Sequence, residues 1–463
     1  MQKLFDEVSS LDKRCYEKFA LNEDILMEHA ANGMAEFIRK NFAKGSSVIV
    51  ACGSGNNGAD GLACGRILHG EYAVSIFYVK EPKSKMAILQ DKRARSVGIH
   101  ECFELADCDI LVDAVVGTGY DGEFSDALKT LMAQLNSLKA FKIACDIPSG
   151  LKQNGECADA CFTADVTLTM GALKKRMFLD AAKEFVGKIE VLDLGVSRAV
   201  YETDSSWNLL DLNDLKLPYR TKKDSHKGSF GHLALICGDK SGASIMSAEA
   251  ALRFGAGLVT LVGYEDVQVP HAIMYSHETP HNTTALALGM GLGEEFSDKE
   301  LNKFLDNNLP LLVDADIFHM PILTDILKRE NVVLTPHAKE FTALLKQTEI
   351  ADIGVDVLQK NRFKYVELFC QKFPHVTLLL KGANVIIAKD GAFFINPHGT
   401  QALAKGGSGD VLSGLIGSLL AQGYTPLEAA KNGSLTHVSL ASKYSGADFS
   451  LTPYDLIDGI AKL

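Results

Sequence analysis

The segment Lys405-Gly406-Gly407-Ser408-Gly409-Asp410 comes directly before a strongly apolar helical stretch. The stretch has apolar residues at helical spacing, namely Val411, Leu412, Leu415, Ile416, Leu419 and Leu420. The helix therefore begins at the glycines, where its first backbone N–H groups lack partners inside the helix. Such donors can hold the charge on a migrating phosphoryl group, and Asp410 can accept a proton from the attacking hydroxyl group. The segment thus favours phosphoryl transfer, with a non-catalytic helix cap as the alternative.

Short apolar runs alternate with helical or loop stretches along the whole chain, which is typical of parallel strands covered on both faces. In the second half the predicted strands are Leu233–Cys237, Val259–Val262, Ala285–Leu288, Leu311–Val313, Val332–Leu334, Thr377–Leu380 and Val385–Ala388. In the first half they are Val48–Cys52, Ala73–Val79, Asp109–Val116, Phe141–Asp146, Val166–Met170 and Ile189–Leu194. The apolar periodicity fails between Tyr201 and Asp224, where we place a linker. The sequence therefore predicts two three-layer α/β domains, residues 1–205 and 220–463.

Length, charge and cysteine usage limit the possible functions. The chain has 463 residues, which exceeds what one hydrophobic core usually accommodates. Its 47 Lys and Arg against 58 Asp and Glu give a net charge of −11, which disfavours nucleic acid as a partner. No apolar run reaches the ~18 residues of a membrane span, and no apolar signal core follows Met1, so we expect a cytoplasmic protein without membrane partners. The ten cysteines lack zinc-ligand spacing, which indicates buried, reduced thiols.

Polar side chains follow three predicted strands of the first half. After a helix capped by Asn22, the first strand leads into Gly53-Ser-Gly-Asn-Asn-Gly-Ala-Asp-Gly61 and a helix over Leu62–Leu68. Two later strands lead into segments Asp113–Glu123 and Asp146–Gly150. Since carboxyl ends of parallel strands meet at one sheet edge, these loops can together bind a ligand that carries phosphate. The side chains of Asn57, Asp113 and Ser149 could form an all-oxygen set for a hard cation.

Simpler interpretations of these loops stay open. Gly53-x-Gly55-x-x-Gly58 also matches the fingerprint of dinucleotide-binding turns, although Asn56, Asn57 and Asp60 add polar groups that such turns lack. Asn and Asp can serve only to tolerate left-handed backbone, and a single Asp at a strand end can cap a helix.

The series Asn-Asn-Gly-x-Asp-Gly, Asp-Ala-x-x-Gly-Thr-Gly and Asp-Ile-Pro-Ser-Gly resembles the NAD(P)HX epimerase family over about residues 1–200. The resemblance implies a Rossmann-like domain that binds hydrated nicotinamide nucleotides beside a potassium ion. It places potassium on Asn57, Asp113 and Ser149, and it makes Asp146 the candidate for proton handling. The implied substrate contacts are Asn56, Asn57, Gly58, Ala59, Asp60, Gly117, Thr118, Gly119, Tyr120, Asp121, Gly122, Glu123 and Asp146.

Further polar groups follow strands of the second half. Lys381-Gly-Ala-Asn-Val385 offers a cation and an approachable backbone to an adenosine phosphate, although the chain has no P-loop. Asp314-Ala-Asp316 could bind a metal or cap a helix. His337 follows a strand and a proline, where either packing or ligand binding is expected.

The order of these features resembles the ribokinase-like NAD(P)HX dehydratase family across about residues 220–463, with Leu-Arg-x-Gly-Ala-Gly-Leu-Val-Thr and Gly-Gly-Ser-Gly-Asp-Val-Leu-Ser-Gly as the most specific segments. The resemblance implies a ribokinase-like fold and a reaction in which ADP or ATP, with magnesium, phosphorylates the S hydrate before phosphate leaves. Asp410 would be the catalytic base. The implied hydrate contacts are Ala243, Gly291, His337 and Asp410, and the implied nucleotide contacts are Lys381, Gly382, Ala383, Asn384, Val385 and Gly409.

The chain departs from that family's pattern at three places. It has Met290 where the family has proline, Ala338-Lys339 where it has Pro-Gly, and Gly238-Asp239 where a Gly-Gly-Ser turn is usual. We expect these changes to alter the backbone geometry beside the hydrate site.

Together the two resemblances predict a bifunctional repair enzyme, an isomerase and a lyase, that epimerises R- and S-NAD(P)HX and dehydrates the S form to NAD(P)H. We expect it to act on NADHX and NADPHX, to use ADP or ATP, and to form a homo-oligomer. One alternative is a ribokinase-like kinase for a vitamin precursor. Another is an N-terminal half that binds a nucleotide without turnover.

Overall fold

The computed structural model describes residues 1–120, 122–264 and 267–463. The chain divides into two compact units, residues 2–207 and residues 208–463 with Met1. Within the described residues, no helix combines the length and the apolar character needed to cross a bilayer.

The first unit contains a parallel sheet. The strands of this unit are β1 (Gln2–Phe5), β2 (Ser47–Cys52), β3 (Ala73–Tyr78), β4 (His100–Glu101), β5 (Ile110–Ala114), β6 (Phe141–Cys145), β7 (Val166–Met170), β8 (Leu173–Lys174) and β9 (Lys188–Leu192). Its helices are α1 (Ser9–Phe19), α2 (Glu23–Asn41), α3 (Asn56–Leu68), α4 (Lys85–Ser96), α5 (Asp126–Ser137), α6 (Lys183–Val186) and α7 (Arg198–Tyr201). The sheet order is β4-β3-β2-β5-β6-β7-β9, and β1 pairs in parallel with β8.

Helices cover both faces of this sheet. Val48, Val50 and Cys52 of β2 pack in one cluster with side chains of α2 and α3. The alternate residues Ile49 and Ala51 pack in another cluster with side chains of α5. Because successive strand residues point to opposite faces, this alternation confirms the predicted three-layer arrangement.

The helix predicted to begin after Asn22 is also confirmed. The Asn22 Oδ1 atom accepts a hydrogen bond from the N–H group of Ile25 at 3.0 Å, as an N-cap should. The predicted apolar stripe is buried at Leu26, Ala30, Met34 and Ile38.

The second unit contains another sheet. Its strands are β11 (His232–Ile236), β12 (Leu258–Val262), β13 (Met274–Ser276), β14 (Ala285–Leu288), β15 (Leu311–Val313), β16 (Val332–Leu334), β17 (Thr377–Leu380), β18 (Val385–Lys389) and β19 (Ala392–Asn396), while β10 (Trp207–Leu209) lies at the division between the units. Its helices are α8 (Ser241–Arg253), α9 (Asp298–Leu305), α10 (Leu323–Ile326), α11 (Ala338–Gln347), α12 (Val355–Lys360), α13 (Arg362–Lys372), α14 (Ser408–Ala421), α15 (Pro426–Ser442) and α16 (Pro453–Gly459).

In the second sheet a parallel part leads into an antiparallel one. The order is β13-β12-β11-β14-β15-β16-β17-β18-β19, parallel from β13 to β17 and antiparallel from β17 to β19. Leu233 and Leu235 of β11 join a core cluster with side chains of α8 and α14, while Ala234 and Ile236 on the opposite face are also buried. The α/β fold class is therefore confirmed in both units, whereas the antiparallel end was not predicted.

Candidate active sites

The loop after β2 lies directly against the segment after β5 in the first unit. A Cβ atom added to Gly53 would lie 1.8 Å from the carbonyl oxygen of Val115, so only glycine allows this approach. Helix α3 begins at Asn56, whereas the sequence predicted a loop up to Gly61 and a helix from Leu62. That prediction was wrong because the two Asn residues and Gly58 sit within the first turns of the helix.

A cavity of about 510 Å³ opens at this edge of the sheet. It is lined by the predicted substrate residues Asn56, Asn57, Asp60, Gly117, Thr118, Gly119, Tyr120 and Asp146. Four other predicted residues, Gly58, Ala59, Gly122 and Glu123, do not line it, and Asp121 lies outside the described residues. Gly58 and Ala59 are buried within α3, while Glu123 is exposed and pairs with Lys152.

Helices α1 and α2 complete the cavity with residues that the sequence did not single out. Asp12 and Tyr16 come from α1, and Glu23 and Met27 come from α2. No local motif marks them, because their position depends on how the two N-terminal helices pack across the strand ends. Two of these additions are acidic, so the cavity wall carries more negative charge than the motifs indicate.

Asp146 occupies a strained position directly after β6. Its φ of 69° lies in the left-handed region, which is unfavourable for a residue with a side chain. Its Oδ1 atom accepts hydrogen bonds from the ammonium group of Lys174 at 2.6 Å and the N–H group of Met170 at 3.0 Å. Lys174 is 1% exposed, so each charge of this pair compensates the other away from water. The strain and the buried pair hold the Asp146 carboxylate at the cavity wall.

The acidic side chains of the cavity affect one another. Burial, followed by the charges of Asp146, Asp12 and Glu23, raises the pKa of Asp60 well above its ordinary value. Burial also raises the pKa of Asp12, and a hydrogen bond from the Tyr201 hydroxyl group opposes that shift. The cavity therefore contains a carboxylate paired with a cation, at Asp146, and a carboxyl group that favours its protonated form, at Asp60.

Asp113 and Ser149 lie together behind the loops. The Ser149 hydroxyl group donates to Asp113 Oδ1 at 2.6 Å, and the Ser149 N–H group donates to Asp113 Oδ2 at 2.7 Å. Asp113 is fully buried, and burial raises its pKa to about 6 against the opposing effect of these hydrogen bonds. Asn57 is also buried, and its Nδ2 atom has no hydrogen-bond partner. A Cβ atom on Gly117 would lie 3.2 Å from Asn57 Oδ1, which places that amide beside the Gly-Thr-Gly segment.

The chemistry of these side chains fits potassium. Amide, carboxylate and hydroxyl oxygens are ligands for a hard cation, and a cation would lower the cost of burying the Asp113 carboxylate. The helix-capping alternative for Asp113 finds no support, because its oxygens accept from Ser149 and from the N–H group of Val115.

In the second unit, a lysine and a carboxylate meet at the start of α14. The ammonium group of Lys381 donates to Asp314 Oδ1 at 2.6 Å, and the Ser413 hydroxyl group of α14 donates to Asp314 Oδ2 at 2.6 Å. A Cβ atom on Gly409 would lie 3.5 Å from Lys381 Nζ, so the cation stands beside the first turn of the helix. Lys381 and the unpaired N–H groups of this turn form a site suited to a phosphate group.

Asp410 lies in the same first turn. Burial and the nearby charge of Asp314 raise the pKa of Asp410 to about 6, and Lys381 opposes the shift. The backbone carbonyl of Asp410 accepts a hydrogen bond from the Ser247 hydroxyl group of α8 at 2.8 Å, which ties the two helices together. A carboxylate with this pKa is largely ionised at neutral pH and can still accept a proton.

The remaining predicted hydrate contacts lie after other strands. A Cβ atom on Gly291 would lie 3.1 Å from Ala243 Cβ, so the turn after β14 contacts the start of α8. His337 caps α11, because its Nδ1 atom accepts from the N–H groups of Lys339 at 3.1 Å and Glu340 at 3.3 Å. Its side chain is 51% exposed, so the ring also remains accessible.

The structure shows one of the two roles left open for Asp314-Ala-Asp316, namely helix capping by Asp314. Asp314 accepts from the N–H group of Ala315 at 2.9 Å and so caps a short helical turn, in addition to pairing with Lys381. Asp316 Oδ2 accepts from the N–H group of Gly293 at 2.8 Å. In the part of the chain that the structure describes, no three His, Cys, Asp or Glu side chains are grouped to hold a metal ion.

The predicted nucleotide segment connects β17 to β18. Gly382 and Ala383 are exposed, whereas Asn384 and Val385 are buried. The backbone carbonyl of Lys381 accepts from the buried Arg362 guanidinium at 3.0 Å. The backbone at Gly382 and Ala383 therefore lies at the surface, while the hydrogen bond from Arg362 fixes the Lys381 carbonyl inside the unit.

Two of the three departures from the family pattern have structural explanations. Met290 is fully buried in the core cluster shared with α8 and α14, so its side chain packs inside the unit. Asp239 approaches Gly293 so closely that a Cβ atom there would lie 1.6 Å from its Oδ1 atom. Both residues therefore participate in packing the turns against each other.

The gathering of charged and hydrogen-bonding groups at the carboxyl ends of parallel strands in both units defines the class as a two-site α/β enzyme. A family described as NAD(P)H-hydrate dehydratase matches residues 233–462, and a family described as YjeF-related protein N-terminus matches residues 23–176. The chain belongs to the family of bifunctional NAD(P)H-hydrate repair enzymes.

Relatives with that name match over most or all of their length. The bifunctional NAD(P)H-hydrate repair enzyme Nnr of Helicobacter pylori is 42% identical, with 100% of each chain covered. The enzyme of the same name from Coxiella burnetii is 31% identical over 97% of this chain and 96% of its own. Among solved structures, an ADP/ATP-dependent NAD(P)H-hydrate dehydratase from Bacillus subtilis co-crystallised with ATP and Mg²⁺ is 26% identical, with a TM-score of 0.46, and covers 54% of this chain and 94% of its own.

Proposed function

We propose that this chain repairs hydrated NADH and NADPH. The first unit interconverts R- and S-NAD(P)HX, and the second dehydrates the S form at the expense of ADP or ATP. The observation that carries the proposal is the meeting of Lys381, Gly409 and Asp410 at the start of α14, where a phosphate site lies beside a base. Family membership favours this function over a vitamin-precursor kinase.

In the second unit Lys381–Val385 and Gly409 would hold the nucleotide, and magnesium bound with it would offset the charge of its phosphates. The hydrate lies against Ala243, Gly291 and His337, with its ring hydroxyl group toward Asp410. Asp410 removes the hydroxyl proton as the oxygen attacks the terminal phosphoryl group, and the bond from that group to the rest of the nucleotide breaks. Lys381 and the α14 N–H groups stabilise the charge of the transferred group. Phosphate then leaves with the electron pair of its C–O bond, and loss of a proton from the neighbouring ring carbon forms the C=C bond of the dihydronicotinamide. Asp314 positions Lys381 through the 2.6 Å contact.

In the first unit the hydrated ring enters the cavity of about 510 Å³, and Asp146 handles the proton at the epimerising centre. The substrate contacts are those predicted residues that line the cavity. Asn57, Asp113 and Ser149 would hold potassium, which would supply a positive charge that offsets the buried Asp113 carboxylate. We further propose residues 1–205 and 220–463 as the functional domains, a homo-oligomeric assembly and a cytoplasmic location.

Two variants of the full chain test the assignment of one reaction to each site. Asp146→Asn should lower R-to-S conversion at least ~100-fold and spare dehydration of pure S hydrate, because each substitution removes one proton carrier. Asp410→Asn should do the reverse and should still bind ADP. The measurements are epimerisation followed by chromatography and dehydration followed by dihydronicotinamide absorbance. If either variant loses both reactions while remaining folded, or neither, the assignment is wrong.

A further inference from the structure

Asp60 is the one carboxyl group of the first cavity, among the described residues, that is buried and lacks a hydrogen-bond partner. It lies in the second turn of α3, is 8% exposed, and lines the cavity. By contrast, Asp146 accepts from Lys174 and Met170, and Asp12 accepts from the Tyr201 hydroxyl group at 2.7 Å. Glu23 is less buried and accepts from Asn56. An unpaired buried carboxyl group is costly unless it serves a ligand, so the position of Asp60 calls for a partner in the cavity.

We propose that Asp60 is a second catalytic residue of the epimerase site, the general acid that protonates the departing hydroxyl group while Asp146 acts as the base. This inference rests on the proposed epimerase function and deepens it. It assigns to two carboxyl groups of one cavity two different roles, set by their surroundings.

The chemistry of the hydrate requires such a pair. Water adds to an enamine so that the hydroxyl group is bonded to the carbon next to nitrogen. Epimerisation at that carbon breaks the C–O bond, whose electron pair goes to oxygen, while the nitrogen lone pair forms a C=N bond. Asp60 supplies the proton that lets the oxygen leave as water. A water molecule then adds to the other face, giving its proton to Asp146, and the C=N electron pair returns to nitrogen.

One water leaves and one enters, and the proton that Asp146 gains returns to Asp60 through solvent in the open cavity before the next turnover, so no further reactant is needed. In the reverse direction the two carboxyl groups exchange roles, as microscopic reversibility demands. The titratable groups near Asp60 are Asp12 and Tyr16 of α1, Glu23 of α2, Cys64 of α3, Cys145 of β6, Asp146 after β6 and Lys174 of β8. Burial and the acidic neighbours raise the pKa of Asp60, which favours its protonated form, while the Lys174 ammonium group donates a hydrogen bond to Asp146 Oδ1 at 2.6 Å.

The test is Asp60→Asn in the full chain, with Glu17→Gln on the exposed face of α1 as a matched carboxyl-to-amide control. Asp60→Asn should lower kcat for R-to-S conversion at least ~100-fold with KM changed less than about threefold, because a general acid typically contributes that much. Dehydration of pure S hydrate by the same preparation should be unchanged, because Asp60 lies in the other unit. Thermal unfolding of the variant should match that of the wild type, which checks that the first unit is folded. Glu17→Gln should keep both reactions.

The pH profile gives a measurement that a merely structural role would not change. In the wild type, kcat for epimerisation should fall as the pH rises through the pKa of Asp60, because the acid must be protonated to act. Asp60→Asn should remove that alkaline limb. If Asp60→Asn keeps kcat within about threefold of wild type, Asp60 is not the general acid, although the chain can still be an epimerase. A wild-type profile without an alkaline limb leads to the same conclusion, and this result does not depend on whether the variant folds. A wild-type chain that does not epimerise at all overturns the proposed function as well.

Discussion

Asp314 shows how a single buried side chain can organise a site. Its two oxygens accept from Lys381 and Ser413, each at 2.6 Å, and so connect the end of β17 to the second turn of α14. At 2% exposure the carboxylate needs both partners, because an unpaired buried charge is strongly unfavourable. Lys381 is thereby held where an incoming phosphate would meet it.

The same group of charges determines the pH dependence of dehydration. The pKa of Asp410 is raised to about 6, and the base must be ionised to accept the hydroxyl proton. We therefore predict that kcat/KM for dehydration of S hydrate is flat above about pH 7 and falls about tenfold per pH unit well below pH 6. Initial rates in constant ionic strength buffers measure this. A profile still flat at pH 4.5 would show that Asp410 is not the base.

At the residue scale, the sequence predicted what local rules determine. Asp146, Lys381 and Asp410 were identifiable because each directly follows a strand or begins a helix, where ligands bind in this fold class. Asp12 and Glu23 were missed, because their arrival at the cavity depends on the packing of α1 and α2 rather than on any motif. The sequence also did not predict that Ser413 and Ser247 donate hydrogen bonds to Asp314 and Asp410, since nothing in the sequence indicates which residue a serine inside a helix contacts.

Helix α14 illustrates the scale of the element, because its function depends on how it starts. Gly407 precedes its first residue with a φ of 88°, and a Cβ atom there would lie 2.6 Å from Pro453 Cγ. Gly406 has no atom within 4 Å of the corresponding position. Gly407 is thus required by its backbone conformation and by its close approach to Pro453, whereas a side chain at Gly406 would meet no other atom.

We predict that Gly407→Ala destabilises the second unit by about 1–3 kcal/mol, the usual cost of a strained backbone position, and lowers the dehydration rate. The strain arises in the turn that presents the N–H groups to phosphate, so nucleotide affinity should fall too. Gly406→Ala is the matched control and should change none of the three quantities, namely stability, dehydration rate and nucleotide affinity. Thermal unfolding, ADP titration and dehydration rates are the measurements; equal effects of the two substitutions would refute the account of this turn.

At the element scale, two features differed from expectation for identifiable reasons. The β18–β19 hairpin was missed although Asp390-Gly391, with φ values of 51° and 73°, is a turn typical of two-residue hairpins. The Asp-Gly pair stands between two apolar runs, so the sequence does contain the pattern that indicates this hairpin. Helix α3 started earlier than predicted because Asn and Gly, which favour loops in isolation, are accepted where the helix packs closely against the sheet.

At the scale of the whole molecule, the two sites have complementary chemistry. A phosphate site beside a base can act on one stereochemical form of a hydroxyl group, and a cavity with paired acidic groups can convert the other form into it. An S-specific dehydratase alone would leave the R hydrate unrepaired. Joining both units in one chain therefore allows complete recovery of a mixed hydrate.

The most direct test of this account uses the wild-type chain with a mixture of R- and S-NADHX, magnesium and either ADP or ATP. Absorbance of the restored dihydronicotinamide is followed to completion, with Asp146→Asn run beside it to reveal the share that is already S. The account predicts that the wild type recovers the entire mixture at a rate far above spontaneous epimerisation, while the variant stops rapidly at the S share. Recovery by the wild type that also stops at the S share, or accumulation of a stable phosphorylated product, would contradict it.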